Sequence, residues 1–331
     1  IMGKASIRDV ANLAGVSIAT VSQVLNGKGE RFSDATKQKV LAARDEVGYV
    51  PNASARSLKR GTTTMIGVIV PSLRNPYFGD IVQRMQEVLP ENVSLQIMTA
   101  ETSTADQTVE TLVAAGAQGL VVASQLSNPP AVARSLRRRG IAMVVLENHD
   151  ELEDADAVYA SDTQGGRKAA EHLIALGHKH VVLLGNQVYT DNLQYRTASF
   201  KETMAEAGVK VSEVATRNLT KHAGRAAAMA VSVTHATAAF ALNDELAIGV
   251  ISGLNAIGIK VPEQMSVIGY DDTDYAEFFR PALTTIEQPV WDIAKAALDS
   301  VLKRIAEPDA PRQVSAFDAN LVVRESTAPL A

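Results

Sequence analysis

The chain has 331 residues, of which 46% are hydrophobic and 21% charged, and this length predicts two or three domains. It contains no cysteine, which excludes disulfides, thiolate metal sites and a cysteine nucleophile. The net charge of -5 argues against a nucleic-acid-binding protein only if the charge is spread evenly along the chain.

The charge is in fact divided unevenly. Residues 1–61 contain 10 Lys and Arg against 5 Asp and Glu, whereas the remaining residues contain 22 against 32. The first segment is therefore +5 and the rest -10, which is typical of a small DNA-binding head on an acidic body. No apolar run approaches the roughly 18 residues of a membrane span. Because Lys4, Arg8 and Asp9 interrupt the place where a signal-peptide core would lie, a cytoplasmic location is expected.

The first 25 residues predict a helix, a tight turn and a second helix. Ser6 and Asp9 resemble a capping box, and apolar residues follow at helical spacing. Gly15 is expected to form the turn, and Ser17 to cap the second helix, Ile18 to Leu25. A third helix is predicted from Asp34 to Val47, with Ser33 as its cap.

The second helix has two distinct faces at about 100° per residue. The side expected to pack on the first helix carries Thr20, Val21, Val24 and Leu25, and the outward side carries Ile18, Ala19, Ser22 and Gln23. An outward face with two apolar residues fits a DNA major groove, where apolar side chains contact thymine methyl groups and Gln pairs with adenine. A plain amphipathic helix in a small bundle is the alternative.

Residues 49–60, YVPNASARSLKR, are a short helix-like stretch with basic residues around Leu58. Isolated helices shorter than about a dozen residues are marginal in water, so this segment should fold only against a partner surface.

After residue 61 the pattern changes to two series of alternating strands and helices. The strands are predicted at Met65 to Val70, Val93 to Thr99, Gly119 to Ala123, Ala142 to Leu146, Val181 to Leu184, Val211 to Thr216, Ala238 to Leu242 and Ser266 to Gly269. The fold class is therefore α/β, with an all-α helix-turn-helix head and hinge helix followed by two doubly wound parallel sheets.

Ligands of such sheets bind beyond the carboxyl ends of the strands. Polar candidates at these ends include Ser124, Glu147, Asn243 and Asp271, and Arg196 lies early in a following helix. The chain contains no G-x-G-x-x-G, Walker A, G-x-S-x-G or metal-type His spacing, so no enzyme, cofactor or metal is predicted.

The head sequence IRDVANLAGVSIATVSQVLNGKG, followed by GYVPNASARSL, resembles the lactose-repressor/galactose-repressor family of bacterial transcription factors. The body segments IGVIVPSLRNPYFGDIV, SDTQGGRKAAEHLIALGH, ALNDELAIGV, SVIGYDD and PALTTIEQP are similar to family signatures in the same order. The resemblance implies a DNA-binding domain at 1–48, a hinge at 49–61, and an effector-binding and dimerisation domain at 62–331. It divides this last domain into an N-subdomain (about 62–160 and 290–323) and a C-subdomain (about 161–289), with a periplasmic-binding-protein-like fold.

The resemblance also implies two sets of site residues. Those for DNA are Ser17, Ile18, Ala19, Thr20, Ser22, Gln23, Asn26, Asn52, Ala55, Arg56 and Leu58. Those for the effector are Tyr77, Phe78, Glu147, Arg196, Asn243, Asp271 and Gln288. In the family, the leucine at the position of Leu58 wedges a minor-groove base step open, although covering the body's core is an alternative role for it. Gln23 departs from the arginine of many members, and GNQVYTDN replaces a commoner glycine-rich turn.

Structural roles compete with several of these assignments. Asn243 is an excellent helix cap, and Asp162 is expected to be a cap rather than a ligand contact. The alternatives are a structural ion pair for Arg196, a turn-stabilising role for Asp271, and a place in the core for Tyr77 or Phe78.

The expected partners are a near-palindromic DNA operator, a second copy of the chain, and a sugar or sugar phosphate as effector. A nucleobase or nucleoside effector is the alternative within the family. A transport-type sugar-binding protein is a rival interpretation. Such a protein would lack residues 1–60, so the presence of the head argues against it.

Overall fold

The computed structural model describes residues 6–25, 32–47, 63–146, 152–186 and 190–330. The chain divides into two compact units, Ile1–Thr63 and Thr64–Ala331. Six predicted site residues lie outside the described residues, namely Asn26, Asn52, Ala55, Arg56, Leu58 and Glu147.

The described part of the head contains three helices, α1 (Ile7–Ala14), α2 (Ile18–Leu25) and α3 (Asp34–Glu46). The predicted capping box is confirmed, since the Ser6 backbone N–H donates to the Asp9 carboxylate at 2.8 Å. Gly15 has a left-handed φ of 66°, which makes the tight turn possible, and the Thr20 N–H donates to Ser17 Oγ at 3.1 Å. The three helices share a small core of Val10, Ala11, Val21, Val40 and Ala43.

The body begins with a series of strands and helices that builds its first half. These are β1 (Thr64–Val70), α4 (Pro76–Glu87), β2 (Val93–Thr99), α5 (Thr102–Ala114), β3 (Gly119–Val122), α6 (Pro129–Arg138), β4 (Ala142–Leu146) and β5 (Asp156–Ala160). Together with β11 (Val314–Phe317) the strands form a six-stranded parallel sheet in the order β11-β5-β4-β3-β1-β2.

The second half repeats the pattern. Its elements are α7 (Asp162–Ala175), β6 (His180–Asn186), α8 (Asp191–Glu206), β7 (Lys210–Thr216), α9 (Lys221–Ser232), β8 (Ala238–Ala241), α10 (Asp244–Ala256), β9 (Ser266–Ile268) and α11 (Asp274–Phe278). The sheet is parallel in the order β7-β6-β8-β9. The predicted fold class, a helical head followed by two parallel sheets, is therefore confirmed.

Both sheets are covered on both faces by apolar clusters. Central strands such as β3, β4 and β8 are buried along their whole length. Strands buried on both faces read as continuous apolar runs, which is why the sequence pattern reveals them.

The sequence pattern missed four strands of the described chain, namely β5, β10 (Thr285–Glu287), β11 and β12 (Asn320–Val322). Strands β10 and β12 pair antiparallel and form a small separate sheet. The chain passes from the first half to the second after β5, returns after β10 to form α12 (Val290–Ala306), and crosses again after β11. The Val267 N–H donates to the Ser326 carbonyl at 2.8 Å, so the end of the described chain is attached to the second sheet. The crossing segment after β10 contributes Gln288 to the wall of a cavity between the two halves.

Candidate functional site

A cavity of about 720 Å³ lies between the two halves of the body, at the carboxyl ends of the strands. Segments that follow β1, β3, β6, β7, β8 and β9 all contribute to its wall, as expected for facing parallel sheets. Its described wall includes six of the predicted effector residues, Tyr77, Phe78, Arg196, Asn243, Asp271 and Gln288. The fold therefore brings these residues together, and their contact with an effector stays a prediction.

Four of the wall residues form a chain of hydrogen bonds that spans the cavity, which we call the cleft bridge. The Tyr77 hydroxyl donates to Gln288 Oε1 at 3.2 Å, and Gln288 Nε2 donates to Asp271 Oδ1 at 2.8 Å. Asn75 Nδ2 lies 3.4 Å from the second oxygen of Asp271. Asn75 and Tyr77 belong to the first half and Asp271 follows β9 of the second, so the cleft bridge connects the two halves directly.

Asp271 is held in an unusual state. Its φ of 114° lies in a region that residues with side chains rarely adopt, and its side chain is 5% exposed. Burial raises the pKa of the Asp271 carboxyl to about 7, although Arg196 and the donors Gln288 and Asn75 act in the opposite direction. The pKa of the neighbouring Asp244 is also raised, first by burial and then by the charge of Asp271. Because each negative charge raises the free energy of the other, ionisation of Asp271 at the cavity wall disfavours ionisation of the fully buried Asp244.

The stability of Asp271→Asn relative to the unsubstituted protein should increase as the pH rises from about 4 to about 7. The folded-state pKa lies above the ordinary value of 3.8, so in this interval the folded protein retains a proton that the unfolded chain has lost. The contribution of Asp271 to stability therefore falls with rising pH and levels off above the folded-state pKa. The difference in melting temperature between Asp271→Asn and the unsubstituted protein, measured across this range, tests the effect. An exposed acid on the same body, with Glu91→Gln as the variant, is the control. A pH-independent difference for Asp271→Asn would contradict the assignment.

Arg196 is a structural ion-pair partner as well as a wall residue. Its Nε and Nη2 atoms donate to Asp162 Oδ1 at 2.8 and 2.6 Å, and Nη1 donates to the Leu242 carbonyl. The guanidinium carbon lies 3.3 Å from the centre of the Tyr270 ring. Gly166 permits this arrangement, because a Cβ at that position would overlap the Arg196 backbone oxygen where α7 and α8 meet. The structural ion pair, which the sequence left open as an alternative role for Arg196, is therefore present.

The expectation that Asp162 caps α7 was wrong. Ser161 is the cap, since the Gln164 N–H donates to Ser161 Oγ at 3.3 Å. Asp162 is the first residue of the helix, and its carboxylate forms an ion pair with the buried guanidinium of Arg196 instead.

Asn243 is confirmed as the cap of α10. Its Oδ1 accepts a hydrogen bond from the Leu246 N–H at 2.9 Å, and its Nδ2 donates to the Leu219 carbonyl at 3.1 Å. Its side chain thereby ties the ends of β7 and β8 together at the wall of the cavity.

Several wall residues are not among the effector residues that the family resemblance implies. Ser124 is 6% exposed, and its hydroxyl has no hydrogen-bond partner among the described residues. An unsatisfied buried hydroxyl costs about 1–3 kcal/mol, so Ser124 is a further candidate for a polar contact at the cavity wall. Asn218 and Thr220 follow the end of β7, which was not among the predicted ligand-binding strand ends. Asn75 follows the end of β1, and its role in the cleft bridge depends on Asp271, a residue far along the chain.

The predicted DNA-contacting residues of the described head lie on and before α2. Ile18 is 42% exposed and Ala19 is exposed, whereas Ser22 and Gln23 are half-buried. The hydroxyls of Ser17 and Thr20 lie 2.9 Å apart at the helix start. Within the described ranges, no group of three or more His, Asp and Glu side chains is placed to hold a metal ion, and no helix is long and apolar enough to span a bilayer.

Comparisons with known proteins agree with this architecture. Residues 6–52 match the family model of bacterial regulatory proteins of the lacI family, and residues 170–327 match a periplasmic binding protein-like domain. The HTH-type transcriptional repressor PurR of Photobacterium profundum is 32% identical over 336 residues, covering 98% of this chain and 99% of PurR.

Two solved structures extend the comparison. A LacI family transcriptional regulator from Enterococcus faecium with bound ribose is 30% identical with a TM-score of 0.76, covering 81% of this chain and 100% of that one. The lac repressor dimer bound to operator and the anti-inducer ONPF is 25% identical with a TM-score of 0.77, covering 98% and 100% respectively. With a helix-turn-helix head, two facing parallel sheets and a relative similar over its full length, the chain belongs to the LacI family of DNA-binding transcriptional regulators.

Proposed function

We propose that this protein is a homodimeric repressor of carbohydrate-utilisation genes, and that a neutral sugar in the cavity controls its affinity for operator DNA. The observation that carries the proposal is the cleft bridge, which connects both halves of the body through polar side chains at the cavity wall. Amide and carboxylate groups of this kind bind hydroxyls, and a ligand that enters must replace or extend their hydrogen bonds.

The charge of the wall favours a neutral effector over a phosphorylated one. Four acidic residues, Glu101, Asp191, Glu245 and Asp271, line the described cavity, against the two arginines Arg74 and Arg196. Arg196 is already paired with Asp162, and Glu245 with Lys221 at 2.9 Å, and apart from these two pairs the wall still has three acids against Arg74. A phosphate would therefore meet net negative charge, whereas the hydroxyls of a sugar would find both donors and acceptors.

Size gives a second constraint on the effector. A cavity of about 720 Å³ is within the range of sites that enclose drug-sized molecules, so it can accept a disaccharide. A nucleobase or nucleoside is the second candidate, because the aromatic residues Tyr77 and Phe78 border the cavity. Both rings are packed in the core of the first half, at 2% and 8% exposure, so a base would stack on one of them only after the wall rearranges.

A thermal-shift comparison of four ligand classes tests the effector class. The probes are neutral monosaccharides and disaccharides such as ribose and cellobiose, their phosphorylated forms, and purine bases. We expect a neutral sugar to raise the melting temperature most, since a ligand at a hundred times its Kd adds about 2.7 kcal/mol of stability. A shift confined to sugar phosphates or to purines would reject the neutral-sugar assignment.

Control of operator binding has its own test. If effector and operator bias one conformational equilibrium, each must change the affinity for the other by the same factor. Operator affinity measured with and without the stabilising sugar, and sugar affinity measured with and without operator, should give equal ratios. Independent binding would contradict allosteric control, and a monomer on operator in analytical ultracentrifugation would contradict the homodimer.

A further inference from the structure

Two consecutive residues beside the cavity have backbone conformations that side chains disfavour. Asp271 has a φ of 114° and Asp272 a φ of 54°. Residues with side chains pay a conformational cost in this region, and they persist there only where the surrounding structure fixes them, often at ligand-binding sites. The turn from Asp271 to Thr273 therefore depends on contacts that keep it in this conformation.

The fully buried carboxyl group of Asp244 provides one of these contacts. Its Oδ2 accepts hydrogen bonds from the Thr273 N–H at 2.8 Å and the Thr273 hydroxyl at 3.1 Å, and its Oδ1 accepts from the Thr285 hydroxyl at 2.6 Å. A Cβ at position 269 would lie 2.3 Å from Asp244 Oδ1, so Gly269 leaves room for this carboxyl group. Asp244 thus fixes Thr273, the residue that follows the two strained positions.

Arg324, which follows β12, holds Asp272 itself. One guanidinium nitrogen, Nη1, donates to Asp272 Oδ1 at 2.6 Å and to the Leu283 carbonyl at 2.9 Å. The side chains of Arg324 and Asp272 are 18% and 17% exposed, so solvent screens this charge-assisted bond only weakly. The Arg324 backbone N–H also donates to Thr284 Oγ1 at 2.9 Å. Arg324 therefore ties Asp272 to the segment that leads into β10.

The contact of Arg324 with Asp272 reaches the cavity through Asp271. Neither Arg324 nor Asp272 belongs to the described wall of the cavity, whereas Asp271 does. The Asp271 N–H donates to the Ile286 carbonyl at 2.8 Å, and its carboxyl group accepts from Gln288 in the cleft bridge. Because Asp271 and Asp272 share a peptide group, a change in the backbone of Asp272 redirects the Asp271 side chain.

We propose that Arg324 is a positioning residue for the effector site, which keeps the Asp271–Asp272 backbone at positive φ and so holds the Asp271 carboxyl group in the cleft bridge. The role assigned to Arg324 rests on the proposed function, because it matters for regulation only if Asp271 contacts the effector. Without Arg324 the turn relaxes towards negative φ, and the Asp271 carboxyl group leaves Gln288 and becomes exposed.

The first experiment follows the titration of the Asp271 carboxyl group by NMR of isotopically labelled aspartate in the full chain, with Asp271→Asn to assign the signal. The charged groups that act on Asp271 are Arg196, Asp162 and Asp244, and all three are retained. In Arg324→Met, the pKa of Asp271 should fall from about 7 towards its ordinary value of 3.8, because the carboxyl group leaves its buried position.

The sign of this shift separates positioning from a simple effect of charge. Loss of the Arg324 charge without any movement of the turn would disfavour the ionised carboxylate and raise the pKa of Asp271. A rise, or an unchanged pKa, would therefore overturn the positioning role.

Arg304→Met is the matched control. Arg304 also pairs with a buried aspartate, since its Nη2 lies 2.6 Å from Asp156 Oδ1, and its side chain is 16% exposed. Asp156 belongs to β5 of the first half, and neither residue is part of the described cavity wall. Arg304→Met should lower the stability of the body and leave the titration of Asp271 unchanged. An equal fall in the pKa of Asp271 in both variants would show general loosening and overturn the proposal.

Two substitutions of Asp272 test whether the backbone is what Arg324 controls. Both Asp272→Gly and Asp272→Ala remove the ion pair, but glycine adopts positive φ readily whereas alanine does not. We expect a higher pKa of Asp271 in Asp272→Gly than in Asp272→Ala. Adding Asp272→Gly to Arg324→Met should likewise raise the pKa again, and this double variant provides the measurement if Arg324→Met alone fails to fold. Equal pKa values in the glycine and alanine variants would overturn control through the backbone.

Calorimetric titration with ribose and with cellobiose connects the turn to the effector. Arg324→Met and Asp272→Ala should bind the sugar that the unsubstituted protein binds about tenfold more weakly, since one polar contact of the sugar is lost. Asp272→Gly should bind it more tightly than Asp272→Ala. A shifted titration of Asp271 with unchanged sugar affinity would overturn the link to effector binding. If the unsubstituted protein binds neither sugar, the proposed effector class fails, and the titrations of Asp271 still decide the role of Arg324.

Discussion

Replacing Arg196 with alanine is expected to destabilise the body by about 3–5 kcal/mol and to abolish the response to effector. The side chain is 2% exposed, and removing it leaves the Asp162 carboxylate buried without its counter-charge. It also removes a donor to the Leu242 carbonyl and the cation that stacks on Tyr270. Urea unfolding of the isolated variant measures the first effect, and operator binding with and without the stabilising sugar measures the second.

A double variant separates these two roles of Arg196. Arg196→Met with Asp162→Asn removes both charges and retains an apolar chain over Tyr270, so most of the lost stability should return. If Arg196 also contacts the effector, the restored protein will still bind sugar at least about tenfold more weakly, which corresponds to about 1.4 kcal/mol. A double variant that is stable and responds normally would show that Arg196 is structural only.

Replacing Gln288 with alanine should have the next largest effect, because this residue is the centre of the cleft bridge. Gln288 is 4% exposed, accepts from the Tyr77 hydroxyl and donates to Asp271. Its removal takes one hydrogen-bond partner from the Tyr77 hydroxyl and one from the Asp271 carboxyl, which keeps Asn75. We expect a loss of stability of about 1–3 kcal/mol in total and a fall in sugar affinity of roughly tenfold or more, measured by calorimetric titration.

Gln288→Met is the matched control, since it keeps the length of the side chain without its hydrogen bonds. If hydrogen bonding matters, the methionine and alanine variants will lose similar sugar affinity, although methionine will be the more stable of the two because it leaves less empty space. If only volume matters, methionine will bind sugar normally. Normal sugar binding by Gln288→Met would show that the hydrogen bonds of the cleft bridge do not contribute to effector binding.

The features that sequence patterns predict well are local. The helix-turn-helix follows from caps at Ser6 and Ser17 and from Gly15, each of which acts within a few residues. The parallel sheets follow from apolar runs long enough to be buried on both faces. The position of the cavity follows as well, because parallel strands with crossover helices all end at the same edge.

Sequence patterns gave a wrong prediction or no signal where a residue or strand has its partner far away along the chain. Asp162 resembled a helix cap, yet its carboxylate binds Arg196, which lies 34 residues away. Strand β11 is only partly buried and pairs with β5, a strand from much earlier in the chain, so its own sequence carries a weak signal. Asn75 and Asp271 are 196 residues apart, and no local pattern relates them.

Sequence patterns alone establish the family, the two-part architecture and the chemistry of α2, because caps, periodicity and the side chains of one helix face are properties of neighbouring residues. Which polar residues act together at the cavity depends on the tertiary fold. The Tyr77, Gln288 and Asp271 side chains meet because the chain returns from the second half to the first after β10. The raised pKa of Asp271 likewise comes from burial by elements on both sides of that crossing, since desolvation depends on everything packed around a group rather than on its neighbours in sequence.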